Sequence, residues 1–141
     1  MAEAIADTIE LEVVTPERQL VKESVTEAQI PAKEGYIGVL PGHAPLLSLL
    51  GSGPLTYTPK TGPRKVLAIH DGFVEVLPDR IRVLANLAER AEEIDLEKAR
   101  IALKQANDHL LINDQAAATD PAVALAESEL ARARVDAAEL R

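Results

Sequence analysis

Several residue types are scarce in this chain of 141 residues, and each absence excludes a class of function. With no cysteine, the chain has no disulfide framework, no thiol nucleophile and no thiolate metal site. With 15 basic against 23 acidic residues and a net charge of −8, it lacks the basic footprint that nucleic acid or anionic lipid requires. We therefore expect neither a nucleic-acid-binding protein nor one that docks directly on a lipid surface.

Long apolar runs and targeting signals are also missing. The longest uncharged apolar stretch, around Val39 to Leu55, is repeatedly interrupted by proline and glycine, which predicts that no segment spans a membrane. The first ten residues carry three acidic side chains and neither lysine nor arginine. We therefore expect no signal or transit peptide and an acidic protein inside the cell.

Glycine, proline and aromatic residues are nearly absent from the second part of the chain. All seven glycines, eight of the nine prolines and the three aromatic residues precede residue 79. From Glu89 onward the sequence is rich in alanine and charge, a composition that favours helix. This change of composition predicts a β domain over residues 1–88 and an α-helical domain over residues 89–141.

The β domain shows short runs in which apolar and polar residues alternate. This pattern predicts strands with one buried face at Ile9–Val13, Val74–Val76 and Ile81–Val83, and further strands at Val25–Ile30, Tyr36–Leu40, Pro54–Thr58 and Arg64–Ile69. Turns are expected at Pro59–Pro63, Pro78–Asp79, Gly51–Gly53 and Asp71–Gly72, because these residue types punctuate strands. Together the runs predict an antiparallel β-sandwich with an aliphatic core.

Two helices are predicted in the second domain. Asp95 begins the first as an N-cap, and Asp120-Pro121 begins the second with an N-cap followed by proline. Each has an apolar seam spaced three and four residues apart: Leu96, Ala99, Leu103, Ala106 and Leu110, then Val123, Ala126, Leu130, Ala133, Ala137 and Leu140. With residues 113–119 between them, they form an antiparallel hairpin. Its thin, alanine-rich seams predict marginal stability, although a simple stable hairpin fits the periodicity equally well.

Catalytic motifs are not found. The chain has no phosphate-binding G-x-x-x-x-G-K-[ST] string, and its three histidines are too far apart in sequence for a metal-binding pair. His70-Asp71 could form an acid/base pair, but the turn hypothesis is much stronger for this segment. The acidic cluster of Glu89, Glu92, Glu93, Asp95 and Glu97 is interpreted as a solvated helix entry. We expect no catalytic residues, no metal site and no independent enzyme.

The most distinctive segment of the chain is Gly35–Leu46, with the sequence GYIGVLPGHAPL. Its glycines bracket a strand, its Pro-Gly pair favours a tight turn, and Pro45 forces the preceding residue into an extended conformation. From the residues alone, a structural corner and an interface loop are equally supported.

This segment resembles the epsilon subunit family of F-type ATP synthases, in which the string G-x-[IL]-G-[VI]-x-P-G-H-x-P-L is highly specific. Residues 72–76 and 83–85 resemble a later strand pair of that family, except that Asp71 stands where a second glycine is usual. The resemblance covers nearly the whole chain. It implies the same fold class, a β-sandwich followed by a helical hairpin, and a non-catalytic rotor subunit.

The resemblance also implies partners and a location. The β-sandwich would bind the gamma subunit and the c-ring, and its candidate interface residues are Gly35, Tyr36, Gly38, Pro41, Gly42 and His43. An extended hairpin would reach the alpha/beta catalytic head and block ATP hydrolysis. Membrane association would come only through the complex, at the cytoplasmic face of the bacterial plasma membrane.

A regulatory ATP site is a further implication of the resemblance. Some bacterial members bind ATP through [IL]-D-x-x-R-A, and here Ile94, Asp95, Lys98 and Ala99 match except that lysine replaces arginine. Arg132 matches one assisting basic residue. Because lysine lacks the planar fork of arginine, we expect at most weak ATP binding and no required cofactor, with Asp95 more simply an N-cap.

The charge of the last helix departs from the family, and two other classes of function were also considered. Residues 122–141 contain three arginines against four carboxylates, whereas inhibition in the family relies on positive charge in the last helix, so strong inhibition is not expected. From another class of function, the main alternative is a free-standing regulatory module whose hairpin closes over a ligand. A free-standing enzyme is a third and weaker hypothesis.

Overall fold

The structure, a computed structural model, describes residues 6–111 and 120–141. The predicted connection at residues 113–119 lies outside these ranges. The elements, in chain order, are the strands β1 (Ile9–Val14), β2 (Gln19–Ala32), β3 (Gly35–Val39), β4 (Leu46–Pro59), β5 (Lys65–Val76) and β6 (Arg80–Arg90), a 3-10 turn (Ala91–Glu93), and the helices α1 (Leu96–Leu111) and α2 (Pro121–Leu140). This order confirms the predicted fold class.

The strands form one sheet that closes on itself. They are hydrogen-bonded in the order β1-β6-β5-β4-β2-β3, and β1 also pairs with β2. The long strand β2 makes this closure possible, because its first half pairs with β1 and its second half with β3 and β4. One pair differs from the predicted antiparallel arrangement, since β1 and β6 run parallel.

The sandwich encloses a core of aliphatic side chains, as predicted. Ile9, Leu11, Leu55, Ile69 and Ile81 are at most 1% exposed. Tyr57 is the one aromatic residue in this core cluster, which draws all its members from residues 9–88. The sandwich therefore has a core of its own, independent of the helices.

The predicted turns at Gly51–Gly53 and Asp71–Gly72 are wrong, because both segments lie inside continuous strands. The pairing of β4 with β5 keeps one register from Leu46 to Tyr57, and that of β5 with β6 keeps one register from Leu67 to Val76. Asp71 and Gly72 do have the positive φ angles, 53° and 120°, that the turn prediction required. The chain uses them to change which side chains face inward rather than to reverse direction.

This change of facing occurs in one row across three strands. In β5 the core residues are Leu67 and Ile69 before Asp71, but Val74 and Val76 after it. The neighbouring strands change phase beside the same row, at Gly51 and Asn86. We refer to Gly51, Asp71 and Asn86 as the switch row. Each of the three strands thereby contributes residues to the core on both sides of the row.

The helices begin where their caps predict. Asp95 Oδ1 accepts a hydrogen bond from the Lys98 amide at 3.2 Å, and Asp120 Oδ1 accepts one from the Ala122 amide at 2.9 Å. The helices pack antiparallel, as the Ser128–Asn107 hydrogen bond of 2.7 Å and the Arg100–Glu139 ion pair of 3.4 Å show. Between β6 and α1, the chain changes from strand to helix at residues 91–95. The division at residue 88 stays a prediction.

Helix α2 differs from its predicted single seam because it packs on two neighbours. Val123, Ala126 and Leu130, members of the predicted seam, line an open cavity with His70 of β5, so this part of the seam lies beside the sheet. A second line, formed by Ala124, Ser128, Ala131, Val135 and Ala138, includes the contact to α1. Alanine serves both faces, so the periodicity of large side chains did not reveal the second one. Val123 and Leu140, at the ends of the predicted seam, are 50% and 42% exposed.

Candidate interaction surfaces

The Gly35–His43 segment forms an exposed corner that is fixed to the sandwich. After β3 the chain turns at residues 40–43, where the His43 amide donates to the Leu40 carbonyl at 3.1 Å. The Gly42 amide donates to the carbonyl of Pro78 at 2.8 Å, which ties this turn to the one between β5 and β6. Both interpretations of the motif are therefore compatible with the structure: the segment is a structural corner, and most of it remains accessible.

The six predicted interface residues share this corner but differ in accessibility. Gly35, Tyr36, Gly38 and Gly42 are exposed, whereas Pro41 and His43 are half-buried. The His43 ring turns back on its own chain, with Nδ1 2.6 Å from the Ala44 carbonyl oxygen. Leu40, not singled out from the sequence, is 62% exposed at the tip of the turn.

The Tyr36 side chain extends from this corner to strand β4. Burial raises the pKa of the Tyr36 phenol, and the nearby carboxylate of Asp136 on α2 raises it further. The phenol oxygen also lies against Gly53, where a Cβ atom would be only 2.9 Å away. Tyr36 therefore lies against β4 near helix α2 while the residue stays 57% exposed.

A second surface, which the sequence analysis missed, is apolar and lies on β4, β5 and β6. Leu49 pairs with Phe73, and Phe73 pairs with Leu84, so the three form a row across the strands. They are 48%, 52% and 47% exposed, and the neighbouring Leu47 is 71% exposed. We call Leu47, Leu49, Phe73 and Leu84 the bare apolar surface. Because exposed apolar rows of this kind are typical of binding surfaces, it is a candidate interaction surface.

A signal for this surface was present in the sequence but could not be interpreted there. Leu49-Leu50 and Phe73-Val74 each place two apolar residues side by side, and only one of each pair can face the core. Which one does so depends on the switch row, and that row was assigned to turns. Once the strands are continuous, Leu50 and Val74 face inward and their neighbours face outward.

The predicted ATP-binding residues do not present a common open surface. Ile94 and Ala99 are 2% and 0% exposed because they pack beneath α2 with Val66 and Val135. Asp95 is engaged as the N-cap of α1, the simpler role expected for it. Lys98 and Arg132 are exposed on different helices. ATP binding through these residues stays a prediction from the resemblance.

Two acidic residues near the start of the hairpin, Glu89 and Glu93, form ion pairs with arginines. Arg18 bonds Glu93 at 2.8 Å, and Arg90 bonds the same carboxylate at 3.3 Å. The hydrogen bond from Arg18 lowers the pKa of Glu93 below its usual value. Glu89 forms an ion pair of 2.9 Å with Arg134. Glu89 and Glu93 are therefore ion-paired as well as partly exposed to solvent, at the predicted entry to the helices.

His70 is a partnered histidine beneath α2. Its Nδ1 lies 2.6 Å from the Ser52 hydroxyl and its Nε2 lies 3.3 Å from the Asp71 carboxylate. The residue is 9% exposed and lines an open cavity with Ala122, Val123 and Ala126 of α2. Both ring nitrogens thus have partners in a nearly buried position, so the contacts have a packing role. Among the residues that the structure describes, no group of histidine, aspartate and glutamate is arranged to hold a metal ion.

These features define a protein class that acts through its surfaces: a β-sandwich with an exposed corner and a bare apolar surface, followed by a docked helical hairpin. The family model for the β-sandwich domain of the ATP synthase delta/epsilon chain matches residues 8–91. The ATP synthase epsilon chain of Solibacter usitatus is 55% identical over 133 residues, covering 94% of this chain and 97% of that protein. The chain therefore belongs to the ATP synthase epsilon chain family.

Other comparisons agree with this assignment. The epsilon chain of Carboxydothermus hydrogenoformans is 49% identical over 106 residues, which cover 75% of this chain and 78% of that one. A chain in the cryo-EM structure of the Euglena gracilis mitochondrial ATP synthase, which includes F1 and the c-ring, matches with a TM-score of 0.75 and 28% identity. That match covers 88% of this chain and 79% of the Euglena chain. A central-stalk/c-ring structure from Tetrahymena thermophila, at 13% identity and a TM-score of 0.61, supports the fold alone.

Family membership makes this chain a non-catalytic stalk subunit rather than an enzyme. It favours the rotor hypothesis over the alternative of a free-standing ligand-binding module. In the part of the chain that the structure describes, neither helix is long and apolar enough to cross a bilayer.

Proposed function

We propose that this chain is a rotor subunit whose sandwich joins the gamma subunit to the c-ring, so that c-ring rotation is transmitted to the catalytic head. The observation that carries the proposal is the bare apolar surface. Removing this surface from water by binding a partner is energetically favourable. The family assignment supports gamma as that partner.

The exposed corner suits the second contact. Gly35, Tyr36, Gly38, Pro41, Gly42 and His43 are the residues that we propose for the c-ring and for the adjoining part of gamma. The corner is held by backbone hydrogen bonds rather than by large side chains, so it keeps its shape while small residues allow close approach. A stiff contact of this kind suits an element that transmits torque.

The location follows from these partners. We propose that the chain is peripheral to the bacterial plasma membrane, on its cytoplasmic face, and associates with the membrane only through the complex. Its net charge of −8 supports this arrangement, because an acidic protein is repelled by an anionic lipid surface.

Placing a charge in the bare apolar surface should weaken binding to gamma. We expect Phe73→Glu to reduce affinity for the cognate gamma subunit about thirtyfold, because a central aromatic anchor is lost and a carboxylate is desolvated. Titration calorimetry with purified gamma measures this change. The matched control is Leu125→Glu, a residue of α2 that is 51% exposed. Equal binding by the Phe73 variant and the parent chain would contradict the proposed surface.

The hairpin is expected to be a weak brake. Residues 122–141 have one more acidic than basic side chain, so they attract an acidic segment of the catalytic head poorly. We predict that a chain ending at Glu92 binds gamma as well as the full chain, and that ATP hydrolysis by the reconstituted head differs by no more than about twofold between the two. The sandwich core lies entirely within the shortened chain.

Comparison of hydrolysis rates at equal subunit occupancy provides the measurement. Suppression of hydrolysis by the full chain alone would show that the hairpin is a strong inhibitory switch despite its charge. Failure of both chains to bind gamma would contradict the rotor proposal itself.

A further inference from the structure

The apolar contact between α2 and the sheet is made mainly of small side chains. Ala133 and Ala137 are 1% and 0% exposed, and the cluster beneath the helix adds Val66 and Ala68 from β5. Because alanine buries little apolar area, this contact contributes modestly to holding the hairpin on the sandwich. The docked position therefore depends on additional contacts.

Two arginines supply such contacts near the end of α2. Arg134 Nε donates to Glu89 Oε2 of β6 at 2.9 Å, and both side chains are partly shielded from solvent. Arg141 Nη1 donates to two backbone carbonyls, those of Ala91 at 2.9 Å and Ile94 at 3.0 Å. Hydrogen bonds from a charged donor are the stronger kind, and partial burial strengthens them further.

The position of the Arg141 contact matters most. Ala91 begins the 3-10 turn and Ile94 follows it, so both carbonyls belong to the segment between β6 and α1. Any movement of the hairpin away from the sandwich must change the backbone angles of this segment. Arg141 bonds the two sides of the turn at once and thereby fixes the angle at which the hairpin leaves the sandwich.

The other ion pairs that α2 makes do not restrain this movement. Arg100 and Glu139 join α1 to α2, so they move together with the hairpin. The bond from Arg64 to the Leu140 carbonyl, at 3.4 Å, is long and exposed. Within residues 6–111 and 120–141, Arg132 makes no hydrogen bond or ion pair.

We propose that Arg134 and Arg141 form a clasp that holds the hairpin in its compact position, and that the hairpin leaves the sandwich only when both arginines release their partners. The clasp also limits which arginines of α2 a binding partner can reach. The clasp engages two of the three arginines in residues 121–141, so an acidic partner can reach them only by displacing Glu89 and the turn carbonyls. This consequence rests on the proposed function, whereas the clasp is a property of the chain alone.

The absence of cysteine makes the test direct, because one introduced thiol can be followed without background. Val66→Cys places a thiol of similar size under the hairpin, at a position 3% exposed, and its labelling rate reports how often the hairpin leaves the sheet. Val25→Cys places one in the sandwich core, at a position 0% exposed, and reports global unfolding. Both probes are made in the full chain, without partners.

Into each probe chain we introduce Arg134→Ala, Arg141→Ala, or both, and Arg132→Ala as the control with the same change of charge. We expect the double variant to label about tenfold faster than the parent at the Val66 probe, with smaller increases for each single change and none for the control. The Val25 probe is expected to keep its rate.

Two results would overturn the clasp. One is a double variant that labels at the Val66 probe no faster than the Arg132→Ala chain. The other is an equal acceleration at both probes, since the arginines would then stabilise the whole fold rather than the docked position. Neither result bears on gamma binding through Phe73, so the two proposals fail independently.

Discussion

Gly72→Ala is expected to leave most of the chain unfolded at room temperature. Gly72 has a φ of +120°, which side chains of L-residues rarely adopt. A Cβ atom there would also overlap the backbone carbonyl oxygen of Leu84 and lie 3.0 Å from the Cα of Ala85. Relief would require β5 and β6 to separate at the switch row. Backbone strain and overpacking together cost about 3–6 kcal/mol, comparable to the whole stability of a small domain.

Urea denaturation followed by circular dichroism measures this loss, and the adjacent residue supplies the control. Asp71 has a φ of 53°, so Asp71→Gly removes a strained conformation while it loses the contact with His70 and gains chain entropy in the unfolded state. We expect these effects to cancel to within about 1 kcal/mol. A Gly72→Ala chain as stable as the parent would show that β5 and β6 separate easily at this row.

The same two residues show why the fold was only partly predictable from the sequence. Asp71-Gly72 has the composition of a hairpin turn and indeed adopts positive φ angles. Whether such a pair reverses a chain or changes its facing depends on the strands beside it. Those partners, Leu50 of β4 and Ala85 of β6, are about 13–22 residues away along the chain, beyond the reach of local turn chemistry.

The helices were predicted better because their signals are local. Asp95 and Asp120 cap the helices that follow them, and the cap lies within three residues of the amide that it bonds. The second face of α2 was missed for a different reason. Ala131 and Ala138 are buried, but alanine occurs all round this helix and so carries little information about which side is covered.

The two interaction surfaces also differ in whether the sequence alone could reveal them. The corner at Gly35–His43 was found because its motif is contiguous and specific. The bare apolar surface is assembled from three strands, and Leu49, Phe73 and Leu84 become neighbours only when the register of those strands is known. A binding surface built from outward-facing residues of separate strands has no sequence pattern distinct from that of a core.

Raising the pH above 10 is expected to destabilise the chain through Tyr57. Burial raises the pKa of the Tyr57 phenol to about 12, and the carboxylate of Glu23 contributes to the increase. In the unfolded chain a tyrosine ionises near pH 10. Between these values the unfolded chain loses the proton and the folded chain keeps it, so the free energy of unfolding falls as the pH rises. The loss reaches about 2 kcal/mol by pH 12 and is negligible below about pH 9.

Denaturant unfolding between pH 9 and pH 12 measures this effect, with Tyr57→Phe as the matched variant. The variant loses one hydroxyl and so has a lower stability at neutral pH, but its stability should decline less steeply between pH 10 and pH 12. Lysine and arginine titrate alike in both chains, so the difference in slope isolates Tyr57. Because Tyr57 is 3% exposed and belongs to the core cluster, beside a cavity that Glu23 and Arg90 also line, its ionisation reports on this side of the core. Equal slopes for the two chains would show that the phenol reaches solvent without unfolding, and the core would then be looser at this point than its packing indicates.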